Sequence, residues 1–269
     1  MTILALAAAL AATVPAPHGQ LTTVWQGHRV HLHCEGQGPA TVLILHGTPR
    51  FSFHYALVQQ AAARVARVCV YDRAGDAWSD PVPGQPTAEI FVRELDAVVR
   101  HLTPRGEPVV LVGHSVGGVL ARAYYALHPE RVRAMILLDT LPAEAAKFSV
   151  HPEARPAAAP VEKLPPGFHQ AHQWATERWH RYADAVPAAR ARRYQADLFR
   201  MAGLARSETL PIWVLYRGGV PAWEARQKRM AAAAWGAARL RAVPGAGHDI
   251  ELDRPDAVVA AISEAVAGR

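Results

Sequence analysis

Hydrophobic and polar positions fall into two rhythms along this chain. Short, almost wholly apolar runs stand at 41–45, 109–112, 132–138 and 212–216, rich in Val, Leu and Ile. Runs of that kind suit strands buried on both faces of a sheet. Between them, positions 53–65, 87–102, 116–127, 223–237 and 256–266 carry apolar residues three and four apart, which predicts helices. Two strands at 21–26 and 29–34 around the turn Gly27-His28 predict an opening hairpin, closed by the break Gly36-Gln37-Gly38-Pro39. Further strands are expected at 67–71 and 239–243. Strand-helix alternation of this length predicts an α/β fold, a mostly parallel sheet flanked by helices on both faces.

The rhythm fails between Pro142 and Leu210. Pro152, Pro156, Pro160, Pro165 and Pro166 interrupt any long element, and two helix-like stretches follow at 172–182 and 188–201. The segment 142–208 is therefore expected to be a helical cap inserted after the sixth strand, with 18–141 and 209–269 forming one core domain. No internal repeat is found.

Composition changes the picture only at the edges. With 269 residues, 51% hydrophobic and 19% charged, the chain suffices for one large core with an insertion. The net charge of +6 comes from arginines scattered among acids and alanines, without an aromatic-basic stripe, so a solvated surface is expected and no nucleic-acid partner. Positions 2–12 are almost wholly apolar, too short to span a bilayer and suited to a secretory leader ending near Val14-Pro15-Ala16. Residues 1–17 are read as such a leader and the product as secreted or periplasmic. A cytoplasmic chain with an apolar arm, or an N-terminal membrane anchor, are the alternatives, since no Lys or Arg precedes the run. Cys34 and Cys69 lie in separate predicted strands and stand either as buried thiols or as a disulfide. Neither has metal-ligand spacing with the histidines, so no metal is expected.

The chemistry centres on Gly113-His114-Ser115-Val116-Gly117-Gly118, directly after the apolar strand at 109–112. It matches the G-x-S-x-G elbow, a sharp strand-to-helix turn that lifts a serine hydroxyl above the sheet edge while glycines let the backbone crowd together. Ser115 is the candidate nucleophile. A serine needs a histidine to take its proton and an acid to hold that histidine in one tautomer. His248, in the glycine-rich loop Pro244-Gly245-Ala246-Gly247-His248-Asp249 after the last strand, is the candidate base. For the acid, Asp139 at the end of the strand 132–138 is preferred, with Glu224 as the alternative. The loop Arg217-Gly218-Gly219-Val220-Pro221 offers no carboxylate before Glu224, and Asp249 is too close in sequence to reach the His248 ring. The backbone N–H groups of Val116 and Thr48 are the expected oxyanion donors. Thr48 follows His46-Gly47 at the end of the third strand.

These residues resemble the α/β-hydrolase fold from about Val24 to Val266. Besides the elbow and His46-Gly47, the stretch Tyr71-Asp72-Arg73-Ala74-Gly75-Asp76-Ala77-Trp78-Ser79-Asp80 is similar to that family's Asp-x-Arg-Gly-x-Gly-x-Ser turn, with Ala74 and Ala77 where glycines stand. Gly247-His248-Asp249-Ile250-Glu251-Leu252-Asp253-Arg254-Pro255 is similar to its histidine segment. With Leu32-His33-Cys34 and Val68-Cys69, the chain looks like a bacterial, esterase-like subgroup. The resemblance implies an eight-stranded sheet with a hairpin at one edge and an acid after the sixth strand. In most relatives, however, the acid follows the strand that here is 212–216. Serine at the nucleophile position excludes the aspartate chemistry of dehalogenase and epoxide hydrolase relatives.

The expected activity is hydrolysis of a small-molecule carboxylic ester through an acyl-enzyme, with no cofactor. Amidase or peptidase, cofactor-free haloperoxidase or perhydrolase, and carbon–carbon bond hydrolase reuse the same triad. A ligand-binding receptor or carrier with a disabled triad is the non-enzymatic alternative. His46, Gly47, His114, Phe51, Trp174 and Trp179 are expected at the substrate pocket, although the cap aromatics equally suit packing of the cap onto the sheet. Acyl and alcohol specificity and oligomeric state are not legible.

Overall fold

The computed structural model describes residues 16, 18–81, 86–142 and 160–268. The leader at 1–15 and Pro152 and Pro156 of the insertion lie outside the described residues. Eight strands form one sheet: β1 (Gln20–Trp25), β2 (His28–Glu35), β3 (Thr41–Leu45), β4 (Arg67–Tyr71), β5 (Val109–His114), β6 (Val132–Leu138), β7 (Ile212–Arg217) and β8 (Ala238–Val243), in the order β1-β2-β4-β3-β5-β6-β7-β8. The pairs β1·β2 and β2·β4 are antiparallel and the other neighbours parallel. The hairpin turn sits one residue earlier than expected. Gln26 and Gly27 both have positive φ (42° and 80°), the pair of left-handed residues a tight two-residue hairpin needs, and His28 already belongs to β2.

The central strands are buried on both sides, which is why they read as unbroken apolar runs. Leu43, Leu45, Leu111, Val109 and Leu137 face one core cluster, while Val42, Ile44, Val110, Val112 and Ile136 face the other. The first face is covered by α2 (Ala88–Leu102) and α3 (Val116–Leu127), the second by α1 (Ala56–Ala62) and the final helix α8 (Pro255–Ala267). In chain order between these stand α4 (His169–Ala185), α5 (Ala188–Ala202), α6 (Pro221–Ala234) and the short α7 (Ile250–Asp253). The expected helix at 53–65 is split into a 3-10 turn, Ser52–Tyr55, and α1. α4 and α5 stand between β6 and β7, as a helical insertion at that point requires. Among the described residues, no helix is long and apolar enough to cross a membrane.

Cys34 and Cys69 are register partners of β2 and β4 and are joined by a disulfide, which settles the alternative left open by their spacing. β3 pairs with β4 on one side and with β5 on the other, so successive connections leave β3 in opposite directions. A crevice opens at such a switch point, outside the carboxyl ends of the strands. The loops after β3 and β5 flank it.

Candidate active site

Ser115 stands between β5 and α3 with φ 52° and ψ −120°, a conformation that costs a non-glycine residue about 1–3 kcal/mol. The surroundings hold it there. Ser115 N–H donates to the Leu138 carbonyl at 2.9 Å, and the Thr140 hydroxyl donates back to the Ser115 carbonyl at 2.9 Å. The elbow's glycines are sterically required. A Cβ on Gly117 would lie 2.1 Å from the Leu45 carbonyl oxygen, one on Gly118 2.3 Å from Thr140 Oγ1, and one on Gly113 2.5 Å from Gly118 Cα.

Asp139 directly follows β6, the strand next to β5, and is fully buried with φ 42°. Its N–H donates to the Leu215 carbonyl at 2.8 Å, so the residue is fixed by the sheet ladder itself. The carboxylate accepts from the Arg217 N–H at 3.2 Å and from Trp223 Nε1, and at 2.7 Å it meets Nδ1 of His248. An acceptor at Nδ1 puts the proton there and leaves Nε2 with its lone pair, the tautomer a general base needs. Glu224 instead pairs with Lys228 one turn on at 2.7 Å, on the exposed side of α6. The structure thus brings Asp139, not Glu224, to His248. Among the described residues no hydrogen bond joins the Ser115 hydroxyl to the His248 ring; contacts of this kind commonly tighten only with substrate in place.

The loop after β3 is organised from below. His46 donates from Nδ1 to the Gly47 carbonyl at 2.8 Å and accepts the Arg73 N–H at its Nε2 at 3.2 Å. Burial, reinforced by the Arg73 charge, holds His46 well below the ordinary histidine range, so it is neutral there. The Arg73 guanidinium clamps the carbonyls of His46 and Gly47 and the Thr48 hydroxyl. Among the described residues no turn, loop or cap acceptor takes up the N–H of Thr48 or of Val116, the two expected oxyanion donors. The departure from glycine in the loop after β4 is visible in the backbone, since Ala77 has φ 37° and Gly75 φ 84°.

Phe51 is fully buried and belongs to a cluster with Phe53, Trp78, Phe168 and Trp174, against which Trp179 packs. Trp174 stacks on Trp78 with ring centres 5.0 Å apart, and Arg178 donates to the Ser79 carbonyl at 2.8 Å. These contacts dock α4 onto the loops that follow β3 and β4. His172 of α4 adds a hydrogen bond to His54 at 3.2 Å.

Several residues here carried no sequence signal. Arg50 grips Asp249 through two hydrogen bonds of 2.7 and 2.9 Å, tying the loop after β3 to the His248 loop, and it holds the Asp249 carboxyl below its usual range against the opposing effect of burial. His114, Asp249 and Glu251 place ligand-type atoms within 4.8 Å of one another, with the Arg50 guanidinium already set against Asp249. Spacing could not reveal these partners, because Arg50 and Asp249 are 199 residues apart.

The comparisons agree with this architecture. A family model described as "Alpha/beta hydrolase family" matches residues 42–261. A cis-3-alkyl-4-alkyloxetan-2-one decarboxylase of Shewanella oneidensis is 31% identical over 117 residues, 42% of this chain and 36% of that protein. Bifunctional epoxide hydrolase 2 of Rattus norvegicus is 37% identical over 128 residues, 46% of this chain and 22% of that protein. The match thus spans only about a third or a fifth of these relatives' own length. Among solved structures, a thermophilic esterase from Thermogutta terrifontis superposes with a TM-score of 0.66 at 23% identity, covering 94% of this chain and 99% of that one. Fold and family match together lead to one statement: the chain belongs to the α/β hydrolase family.

Proposed function

We propose that this hydrolase cleaves carboxylic esters through a serine triad. Ser115 attacks the acyl carbon, His248 takes its proton at Nε2, and Asp139 orients the imidazole and steadies its positive charge. The tetrahedral oxyanion is received by the N–H groups of Thr48 and Val116, each worth about 3 kcal/mol in the transition state. His248 then returns the proton to the leaving alcohol, an acyl group remains on Ser115, and water activated by the same histidine releases the acid.

The observation that carries this reading is the 2.7 Å bond from His248 Nδ1 to a fully buried carboxylate, on the strand beside a serine held at positive φ. The decarboxylase and epoxide hydrolase relatives share the fold, but a serine at the elbow supports acyl transfer rather than carboxylate attack. The Cys34–Cys69 disulfide supports an exported chain, because such bonds persist in oxidising compartments.

A fluorophosphonate probe and a series of p-nitrophenyl esters of increasing acyl length test the proposal together. Wild type is expected to label and to turn over at least one ester, and Ser115→Ala to do neither. A folded wild type that neither labels nor hydrolyses, as a carrier with a disabled triad would behave, overturns it.

A further inference from the structure

Directly behind the elbow lies a second hydrogen-bonded array, separate from the triad and wholly enclosed. Tyr55, at the end of the 3-10 turn after β3, is fully buried and receives the Gly47 N–H on its hydroxyl at 3.3 Å. The same hydroxyl lies 3.0 Å from Nδ1 of His114. At the far side of that ring, Nε2 stands 2.9 Å from the carbonyl oxygen of His248. A carbonyl only accepts, so Nε2 carries the proton, Nδ1 is the acceptor, and the Tyr55 hydroxyl is the donor to it. The direction of every bond is thereby fixed: Gly47 N–H to Tyr55, Tyr55 to His114, His114 to His248.

Two further observations say the array is built rather than incidental. A Cβ on Gly47 would lie 2.8 Å from His114 Nδ1, so the loop carrying Thr48 rests directly on the His114 ring. Burial, with His248 close by, pushes His114 down to about 3, which keeps the imidazole neutral and the bond directions constant across the working pH range. Glu251 packs on the Tyr55 side of the ring, with Oε1 3.4 Å from Nδ1 and neither carboxyl oxygen hydrogen-bonded among the described residues. Burial pushes its carboxyl well up.

We infer that His114, seated by Tyr55, is a positioning residue that ties the oxyanion loop to the backbone of the catalytic histidine. The inference rests on the serine-hydrolase reading above. His114 acts through His248, whose carbonyl it bonds and whose ring lies 4.7 Å from its own, centre to centre; it sets the separation between the Thr48 N–H and the His248 ring. Oxyanion donors and base must both meet a transition state whose reacting atoms tolerate little displacement, and a loss of about 1 Å in such a site costs on the order of a hundredfold in rate. An array acting this way changes kcat and leaves ground-state binding nearly alone.

The experiment is a double-substitution cycle of Tyr55→Phe and His114→Ala, with kcat and KM measured on the best p-nitrophenyl ester and fluorophosphonate labelling rates alongside. Tyr71→Phe is the control, since the Tyr71 hydroxyl is equally buried and makes no hydrogen bond among the described residues. Tyr55→Phe is expected to lower kcat about tenfold or more with KM within about twofold, and to slow labelling in the same ratio. The double variant is expected to be no slower than His114→Ala alone, the signature of residues acting in one array. Should His114→Ala fail to fold, Tyr55→Phe against Tyr71→Phe carries the test by itself. A folded Tyr55→Phe with wild-type kcat overturns the inference while leaving the triad standing, and so do losses that simply multiply. A wild type that neither labels nor hydrolyses overturns the triad and this inference together.

Discussion

His248 and Asp139 meet at 2.7 Å across 109 residues of chain, and the aspartate that does so directly follows β6 rather than β7. The backbone explains why the position works. Asp139 donates its N–H to Leu215 of β7, Ser115 donates its N–H to Leu138 of β6, and the two residues are thereby held at the ends of adjacent ladders, β6·β7 and β5·β6.

That arrangement predicts opposite outcomes for the two carboxylates first considered. Asp139→Asn keeps the shape but misorients the imidazole, and kcat is expected to fall by about three to four orders of magnitude, as in other triads. Glu224→Gln alters a pair with Lys228 and a hydrogen bond with Tyr216, neither of them on His248, and is expected to leave kcat within about twofold. Steady-state ester hydrolysis checks both; a reversed pattern refutes the assignment.

The crowding at Gly117 makes a stability prediction. A methyl group there meets the Leu45 and His46 carbonyls at 2.1 and 2.7 Å, and neither backbone atom can move without shifting the oxyanion loop. Gly117→Ala is expected to cost about 3 kcal/mol in urea unfolding and to abolish fluorophosphonate labelling even where the protein stays folded.

Acid stability follows from buried neutral histidines. His46 and His54 are held well below the usual 6.5 by burial and by neighbouring arginines, and His114 is lowered to about 3, chiefly by burial. Depressed values mean that the unfolded chain binds the extra protons. The stability these groups contribute is therefore complete above about pH 6.5 and is lost as pH falls through their folded values. His31 runs the other way: burial opposes its charge, but its bonds to Asp72 prevail and raise it, so its contribution is lost as pH rises. His172 joins the lowered groups, while Asp76, raised to about 7 chiefly by burial, and Glu251 act in the same sense as His31. The test is therefore differential: between about pH 7 and about pH 5 the Tm of His54→Gln is expected to change less in the destabilising direction than that of wild type. An unchanged slope in the variant counts against the account.

The disulfide offers a direct chemical check. Cys34 and Cys69 close a loop of 35 residues in sequence separation, for which chain entropy gives about 3–4 kcal/mol. Native protein is expected to show no thiol reactive toward a disulfide reagent until reduced. The Cys34→Ser, Cys69→Ser pair is expected to unfold at lower urea with ester turnover retained, because the bond lies between β2 and β4, away from the elbow.

The sheet was legible because its central strands are buried on both faces, so their apolar runs are unbroken, and because glycine and proline mark the turns. The elbow was legible for the same kind of reason: Gly113, Gly117 and Gly118 are dictated by close backbone approach, a constraint that leaves a local signature. The contact of Asp139 with His248 was legible by position, since Asp139 stands just past a strand end and the loop after β7 lacks a carboxylate. Arg50, Tyr55 and Glu251 were not, because a contact between segments far apart in the chain, 199 residues for Arg50 with Asp249 and 59 for Tyr55 with His114, imposes no pattern on either one. The split of the helix expected at 53–65 was missed as well, since a 3-10 turn and an α-helix share nearly the same apolar spacing.

Because the carboxylate that meets His248 directly follows β6, the turn at 218–221 holds no member of the proposed triad. Evolution or a protein engineer can therefore lengthen, trim or recolour that turn to admit new substrates, while the route by which the proton travels stays untouched.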